Sequence, residues 1–123
     1  MDTERAQLTA AEDAPPIDVV TIEATIAQAV RAGTRPAVTG DLVDLHTLLC
    51  GHIALLIPSV RAAAELLWHG GHEWHRQTAR LDGIERQVAH GLGDSDFSRI
   101  VQVQLLARDC RWLLDECTTR VTR

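Results

Sequence analysis

The segment HGGHEWH, residues 69–75, places three imidazole side chains within seven residues. Histidine is the commonest metal ligand in proteins, so His69, His72 and His75 are candidate ligands of a metal site. However, His72 and His75 are three residues apart, one short of the spacing that pairs two zinc ligands on one helix. On a helix that turns Trp74 inward, both histidines face solvent. The segment therefore favours solvated histidines, and a metal-binding bundle is the third functional hypothesis.

A second candidate pair lies on the apolar faces of two predicted helices. His52 falls among leucine and isoleucine positions, and Glu85 falls beside Ile84 and Val88. Burying either ionisable group alone is unfavourable, so each needs a partner or a wet pocket. An interior His52–Glu85 pair would serve as a general base or would orient a ligand. The alternatives are a structural polar contact, or two side chains that reach the rim. A small enzyme or ligand-binding bundle built on this pocket is the second hypothesis.

The cysteines do not suggest a metal or catalytic site. Cys110 and Cys117 are two helical turns apart, about 10 Å, whereas thiolates on one zinc ion lie about 4 Å from each other. Both are therefore predicted to be small apolar residues of the core. The sequence has no phosphate-binding glycine loop, dinucleotide fingerprint or nucleophile elbow. No cofactor is expected, and the pattern leans away from an enzyme.

Composition restricts the partners and the compartment. The 123 residues fit one domain, and their net charge of −5 argues against a general binder of nucleic acid or of anionic membranes. All 12 basic residues are arginine, and lysine, asparagine and tyrosine are absent, which indicates a high-GC genome. We recognise no secretory leader and no long apolar span. Three cysteines without a leader indicate reduced thiols in the cytoplasm.

The apolar periodicity predicts an all-α, up-and-down four-helix bundle. Residues 1–16 are predicted to be a disordered acidic tail, and residues 17–123 a single helical domain. The predicted helices cover residues 19–32, 41–69, 72–91 and 96–119. The second of them is expected to be kinked or broken at Pro58, because proline removes a hydrogen bond inside a helix.

The last predicted helix is apolar on two sides. Its main stripe consists of Val103, Leu106, Cys110, Leu113 and Cys117. A thinner stripe of Val101, Leu105 and Trp112 lies roughly opposite Cys110, with Arg108 nearby. Tryptophan and arginine are enriched in protein interfaces, so this stripe is a candidate homodimer interface. The equal alternative is that the first helix or the linker 33–40 covers Trp112 within the monomer.

Three segments, GHIALLIPSV, LDGIERQ and LLARDCRWLL, carry a family resemblance. Over residues 17–117 the chain resembles a family of small uncharacterised actinobacterial proteins, which is filed as a domain of unknown function and sometimes labelled a natural product biosynthesis protein. The resemblance implies a bacterial, cytoplasmic setting near secondary metabolism, and it assigns no site residue. The predicted function is a non-catalytic interaction or accessory protein whose partner is a second copy or another protein. No sequence feature specifies a small-molecule ligand.

Overall fold

The computed structural model describes residues 17–34 and 39–121. Its four helices are α1 (Val19–Ala32), α2 (Thr39–Ala64), α3 (His72–His90) and α4 (Asp96–Val121). No strand occurs in these described ranges, so the predicted all-α bundle is confirmed. The bounds of α1, α3 and α4 agree with the predicted ones within two residues. The predicted tail 1–16 and residues 35–38 of the linker lie outside the described residues.

The helices are arranged around a central pair, α2 and α4, which share the most extensive contact. α1 packs against both members of this pair, and so does α3. Within the described ranges α1 and α3 do not touch, so they occupy opposite corners of the bundle. All four helices contribute buried side chains to one core: Ile22, Ile26, Ala29, Leu42, Leu45, Leu49, Ile53, Leu56, Val60, Ala64, Leu81, Ile84, Val103, Leu106, Ala107, Cys110, Leu113, Leu114 and Cys117.

α1 begins at a side-chain cap. The carboxylate of Asp18 accepts hydrogen bonds from the backbone N–H of Thr21 at 3.1 Å and from its hydroxyl at 2.6 Å. These bonds favour the ionised carboxylate and lower the pKa of Asp18 from its ordinary value. The cap satisfies a donor that the first turn of a helix leaves unpaired. The predicted start of this helix therefore has a local chemical cause.

α2 differs from the prediction at its C-terminal end. It runs through Pro58 as one helix and ends at Ala64, five residues before the predicted end. Pro58 and Ala54 are both exposed, so the carbonyl of Ala54 that loses its partner lies on the solvent side of the helix. Beyond Ala64 the chain turns, and Gly71 N donates to Trp68 O at 3.0 Å. The predicted extension to residue 69 is wrong, and the large side chains of Leu66 and Trp68, which are 88% and 80% exposed, gain little burial there.

The turn between α3 and α4 is fixed by the side chain of Gln102, which lies on α4. Gln102 is buried, and its side-chain oxygen accepts a hydrogen bond from Gly93 N. Its amide nitrogen lies 2.9 Å from His90 Nδ1. The same turn contains Gly91 at φ 78°, a conformation that favours glycine. Gln102 therefore joins the end of α3 to the second turn of α4.

Candidate functional site

Two of the three histidines of residues 69–75 contact the indole of Trp74. The imidazole of His69 stacks on Trp74 at a centroid distance of 4.6 Å, and His75 meets the same ring edge-on at 4.9 Å. His72 is exposed, as are the other two. Among the described residues, no group of three or more His, Cys, Asp or Glu side chains is placed to hold a metal ion. The metal hypothesis is therefore supported only by the presence of three histidines within seven residues of the sequence.

The predicted His52–Glu85 pair does not form. Glu85 instead accepts hydrogen bonds from two nitrogens of Arg61, whose guanidinium also bonds Asp82 at 2.9 Å. These bonds raise the pKa of Arg61 above its ordinary value. The antiparallel register of α2 and α3 places Arg61 within reach of both carboxylates, so Glu85 turns to the rim and is half exposed. The two residues follow the alternatives to an interior pair, since Glu85 bonds Arg61 at the rim and His52 bonds a different helix.

His52 pairs with α1. Its Nε2 lies 3.1 Å from Thr25 Oγ1, and the same hydroxyl lies 3.0 Å from the carbonyl oxygen of Thr21. A hydroxyl has one hydrogen, which it donates to that carbonyl, so Thr25 accepts its second bond from His52 Nε2–H. The neutral ring is thereby held as the Nε2–H tautomer. This contact joins the middle of α1 to the middle of α2 and is a structural polar contact.

His52 should make folding sensitive to pH. Burial lowers the pKa of His52 from its ordinary value of 6.5, and the carboxylate of Asp18 opposes part of that shift. The unfolded chain then takes up this proton at a higher pH than the folded chain does. Stability should therefore fall as pH drops through about 6.5 and level off below the folded pKa. Urea denaturation at about pH 7.5 and 5.5 should show a smaller loss for His52→Gln than for the wild type. Equal losses would contradict this assignment.

The predicted interface stripe is largely covered by α3. The guanidinium of Arg80 lies 5.3 Å from the centre of the Trp112 ring, and its Nη2 lies 3.1 Å from Asp109 Oδ1. Trp112 and Leu105 are both half-buried. The monomer alternative expected cover from α1 or the linker 33–40, whereas the contact observed over the Trp112 ring comes from Arg80 of α3; residues 35–38 of that linker lie outside the described residues. The homodimer prediction assumed that no other part of the chain covers this stripe. That assumption is wrong for Trp112, because α3 packs on that side of α4.

Two residues of that predicted interface remain exposed. Val101 is 38% exposed, and Arg108 lies between the grooves on either side of α4. Leu105 lines the groove that α4 shares with α3, together with Arg80 and Asp109. The homodimer stays a prediction, but most of the apolar area first assigned to it is used within the chain.

The outer face of α2 is exposed and uncharged. From residue 45 to residue 60 the helix has no acidic residue and no arginine. Leu48 and Leu55 are 47% and 41% exposed on this face. Gly51 lies between them, with open space where a Cβ atom would project. The apolar periodicity of this helix predicts its core side only. The absence of charged residues over four turns is the sequence signal that would have predicted its exposed apolar side.

α2 also corrects the expectation that the chain has no long apolar span. Gly40–Ala64 is long and apolar enough to cross a membrane by length and composition, and 28% of its most apolar window is buried. A core helix of a soluble protein passes the same test. In this bundle both faces of α2 are apolar: one face packs in the core, and the other is exposed.

A groove of about 680 Å³ lies between α1 and α4. Its apolar lining comes from Ile26, Ala27, Val30 and Ala107. Its polar lining comes from Arg31, Gln104, Arg108 and Arg111. Arg108 and Arg111 both lie near Trp112 in the sequence pattern of α4, and Arg108 was assigned to the candidate interface. Arg31 was missed because it lies on a different helix, which only the tertiary fold brings alongside α4.

The bundle that carries these surfaces matches a known family model. Residues 20–120 match the model described as a family of unknown function, DUF6415. The chain belongs to this family. The match begins at the second residue of α1 and ends in the last turn of α4, so it includes all four helices. No curated protein and no solved structure matches the chain.

Within this DUF6415 bundle, the cysteines are poorly suited to nucleophilic chemistry. Burial raises the pKa of the Cys110 thiol to about 12 and also raises the pKa of Cys50. Thiolates are the reactive form, so both thiols stay protonated at neutral pH. His46 lies 3.8 Å from the sulfur of Cys50, a long contact that leaves this burial effect dominant. The arrangement is suited to binding through its surfaces, namely the outer face of α2 and the α1–α4 groove.

Proposed function

We propose that this protein is a non-catalytic interaction protein that self-associates through the outer face of α2. The observation that supports this proposal is the exposed apolar area around Leu48 and Leu55, on a helix face without charge from residue 45 to residue 60. At 1.5 Å per residue this face is about 24 Å long. Contiguous exposed apolar areas with a polar rim are typical of protein–protein interfaces. The proposal retains the predicted homodimer but assigns its interface to α2 instead of α4.

The aspartates near the start of α2 favour an antiparallel pairing. Asp41 and Asp44 are exposed there. A parallel pairing would place these like charges of the two copies together, whereas a two-fold axis near Gly51 keeps them at opposite ends of the interface. Gly51 also lets the two helix backbones approach closely, because it has no side chain at the crossing point.

The proposed setting is the cytoplasm of an actinobacterium, close to natural-product biosynthesis. Its support is the resemblance of the GHIALLIPSV, LDGIERQ and LLARDCRWLL segments to proteins with that label. The use of arginine as the sole basic residue agrees with a high-GC genome, and three free cysteines agree with a reducing compartment. In this setting the dimer would act as an accessory or scaffold to another protein.

Leu55→Asp should convert the dimer to a soluble monomer. The substitution places a charge in the centre of the proposed interface, where the partner copy would have to desolvate it. Size-exclusion chromatography with light scattering should give twice the chain mass of 13.5 kDa for the wild type and the chain mass itself for the variant. Phe97→Asp is the matched control, because Phe97 is 78% exposed on α4, away from this face, and the control should remain dimeric. A monomeric wild type at high concentration, or equal effects of both variants, would overturn the proposal.

A further inference from the structure

The α1–α4 groove has the dimensions of a small-molecule site. Its volume of about 680 Å³ lies in the range of about 300–1,000 Å³ that is usual for ligand pockets. Ile26 and Ala107 are buried beneath it, and Val30 is 56% exposed at its wall. The apolar floor is continuous with the core, since Ile26 and Ala107 belong to the core cluster. An apolar body of about eight carbons would remain in contact with protein along this floor.

The rim of the groove is strongly basic in a chain that is acidic overall. Arg31, Arg108 and Arg111 all line it. Arg111 has two weak ion pairs, with Glu23 at 3.8 Å and Asp115 at 3.7 Å. Within the described part of the chain, Arg31 and Arg108 have no carboxylate within 4.0 Å to pair with. Although the sequence has 17 acidic and 12 basic residues, two guanidinium groups at one groove therefore have no close carboxylate among the described residues.

The fold assembles this basic rim from two helices that run antiparallel. Arg108 and Arg111 are three residues apart and thus neighbours on one side of α4. Arg31 is in the last turn of α1, beside Gln104. The amide of Gln104 occupies the space where a side chain on Gly33 would project, so it packs against the end of α1. The groove is thus bounded by an amide at this end and by the Glu23–Arg111 contact towards the other.

We propose that the α1–α4 groove binds a small anionic amphiphile with a carboxylate or phosphate head. Arg31 and Arg108 hold the head, because guanidinium groups form paired hydrogen bonds with both kinds of oxyanion. The apolar body lies along Ile26, Val30 and Ala107. This site is independent of the proposed self-association, since it uses α1 and α4 whereas the dimer uses the outer face of α2.

Isothermal titration calorimetry on the full chain tests this site with four probes below their micelle-forming concentrations. Octanoate and octyl phosphate should bind, and binding of either one is sufficient to support the proposal. Acetate, which has no apolar body, and octanol, which has no charge, should each bind at least about tenfold more weakly. The double substitution Arg31→Gln, Arg108→Gln should weaken binding by about tenfold or more. Arg86→Gln is the matched control, because Arg86 is exposed on α3, which does not touch α1.

A second variant blocks the apolar floor without changing any charge. Ala27 is exposed at the groove, so Ala27→Trp should fill it, abolish octanoate binding and leave the helical circular dichroism spectrum intact. Equal affinity for octanol and octanoate would overturn the proposal, and so would an unchanged affinity in the double arginine variant. It would also fail if vesicles of phosphatidylglycerol bound the protein while octyl phosphate did not.

The remaining alternative occupant is the acidic N-terminal segment of the chain. Residues 1–16 contain four acids, Asp2, Glu4, Glu12 and Asp13. Replacing all four by their amides should leave the NMR amide shifts of Ala27 and Arg108 unchanged, whereas octanoate should move them. A change in these shifts on neutralising the segment, without added octanoate, would assign the groove to the protein's own terminus and overturn the small-ligand proposal.

Discussion

Leu113→Ala should lower the free energy of unfolding by about 2.7–5 kcal/mol, the range found for fully buried leucines. Leu113 is completely buried in α4, which like α2 contacts all three other helices. Removing its isobutyl group forfeits the burial of that apolar surface and leaves a cavity that the surrounding helices fill only in part. Since a domain of this kind is stable by about 5–15 kcal/mol in total, the variant should have a strongly reduced melting temperature.

Urea denaturation followed by circular dichroism measures this loss. Val20→Ala serves as the control, because Val20 is 79% exposed on α1 and should change stability by less than about 0.5 kcal/mol. Both variants need to be compared at one protein concentration, since self-association stabilises the folded state by mass action. A Leu113→Ala protein as stable as the control would contradict the central position of α4.

The helices could be predicted where local chemistry and periodicity agree. Asp18 and Gly33 mark the ends of α1, and apolar spacing defines α4 over most of its length. The prediction failed at the end of α2, where the apolar spacing continues to Leu67 but no helix follows it. There the chain turns over Gly70, at which an added Cβ would lie 2.7 Å from the Trp68 ring. Spacing shows which residues share a helical face, but it does not show whether another element covers that face.

The pairing of the candidate site residues depended on distances that no sequence pattern contains. His52 was recognised as a partly buried group that needs a partner, whereas Glu85 was expected on an apolar face and is half exposed at the rim. Their partners are Thr25 and Arg61, which the register of α1 and α3 against α2 brings within hydrogen-bond distance. The same limit applies to Trp112, because its cover by Arg80 depends on how α3 packs against α4. Single-helix projections predicted the need for these contacts but not their identity.

The exposed outer face of α2 was not predicted from the sequence, for a different reason. A stripe of large apolar residues at heptad spacing is the expected mark of a core-facing helix, and it correctly identified Leu49, Ile53 and Leu56 as buried. An ordinary amphipathic helix then has charges on its opposite side. Here that side has glycine, alanine, proline, serine and leucine instead. Counting charged residues as well as apolar ones along the helix would have predicted this surface.

Gly51→Arg should abolish self-association while making the isolated chain more stable. Gly51 is in the interior of α2, where glycine is less favourable than a good helix former by about 0.8 kcal/mol. Apart from its chain neighbours and the nearby backbone of α2, no described atom lies within 4 Å of the position that its Cβ would take, so a side chain at this exposed position starts in open space. In the proposed dimer the same side chain would stand at the crossing point of two helices and hold them apart. It would also bring two like charges together across the two-fold axis.

These opposite effects separate a lost interface from a damaged fold. Light scattering should give the chain mass for Gly51→Arg at concentrations where the wild type has twice that mass. Urea denaturation at low concentration, where the wild type has dissociated, should give an equal or higher midpoint for the variant. Gly51→Ala is the control: it gains similar helix propensity but adds only a methyl group, so it should retain much of the association. A Gly51→Arg protein that remains dimeric would show that the outer face of α2 is not the interface, because no dimer across this face can accommodate that side chain at its centre.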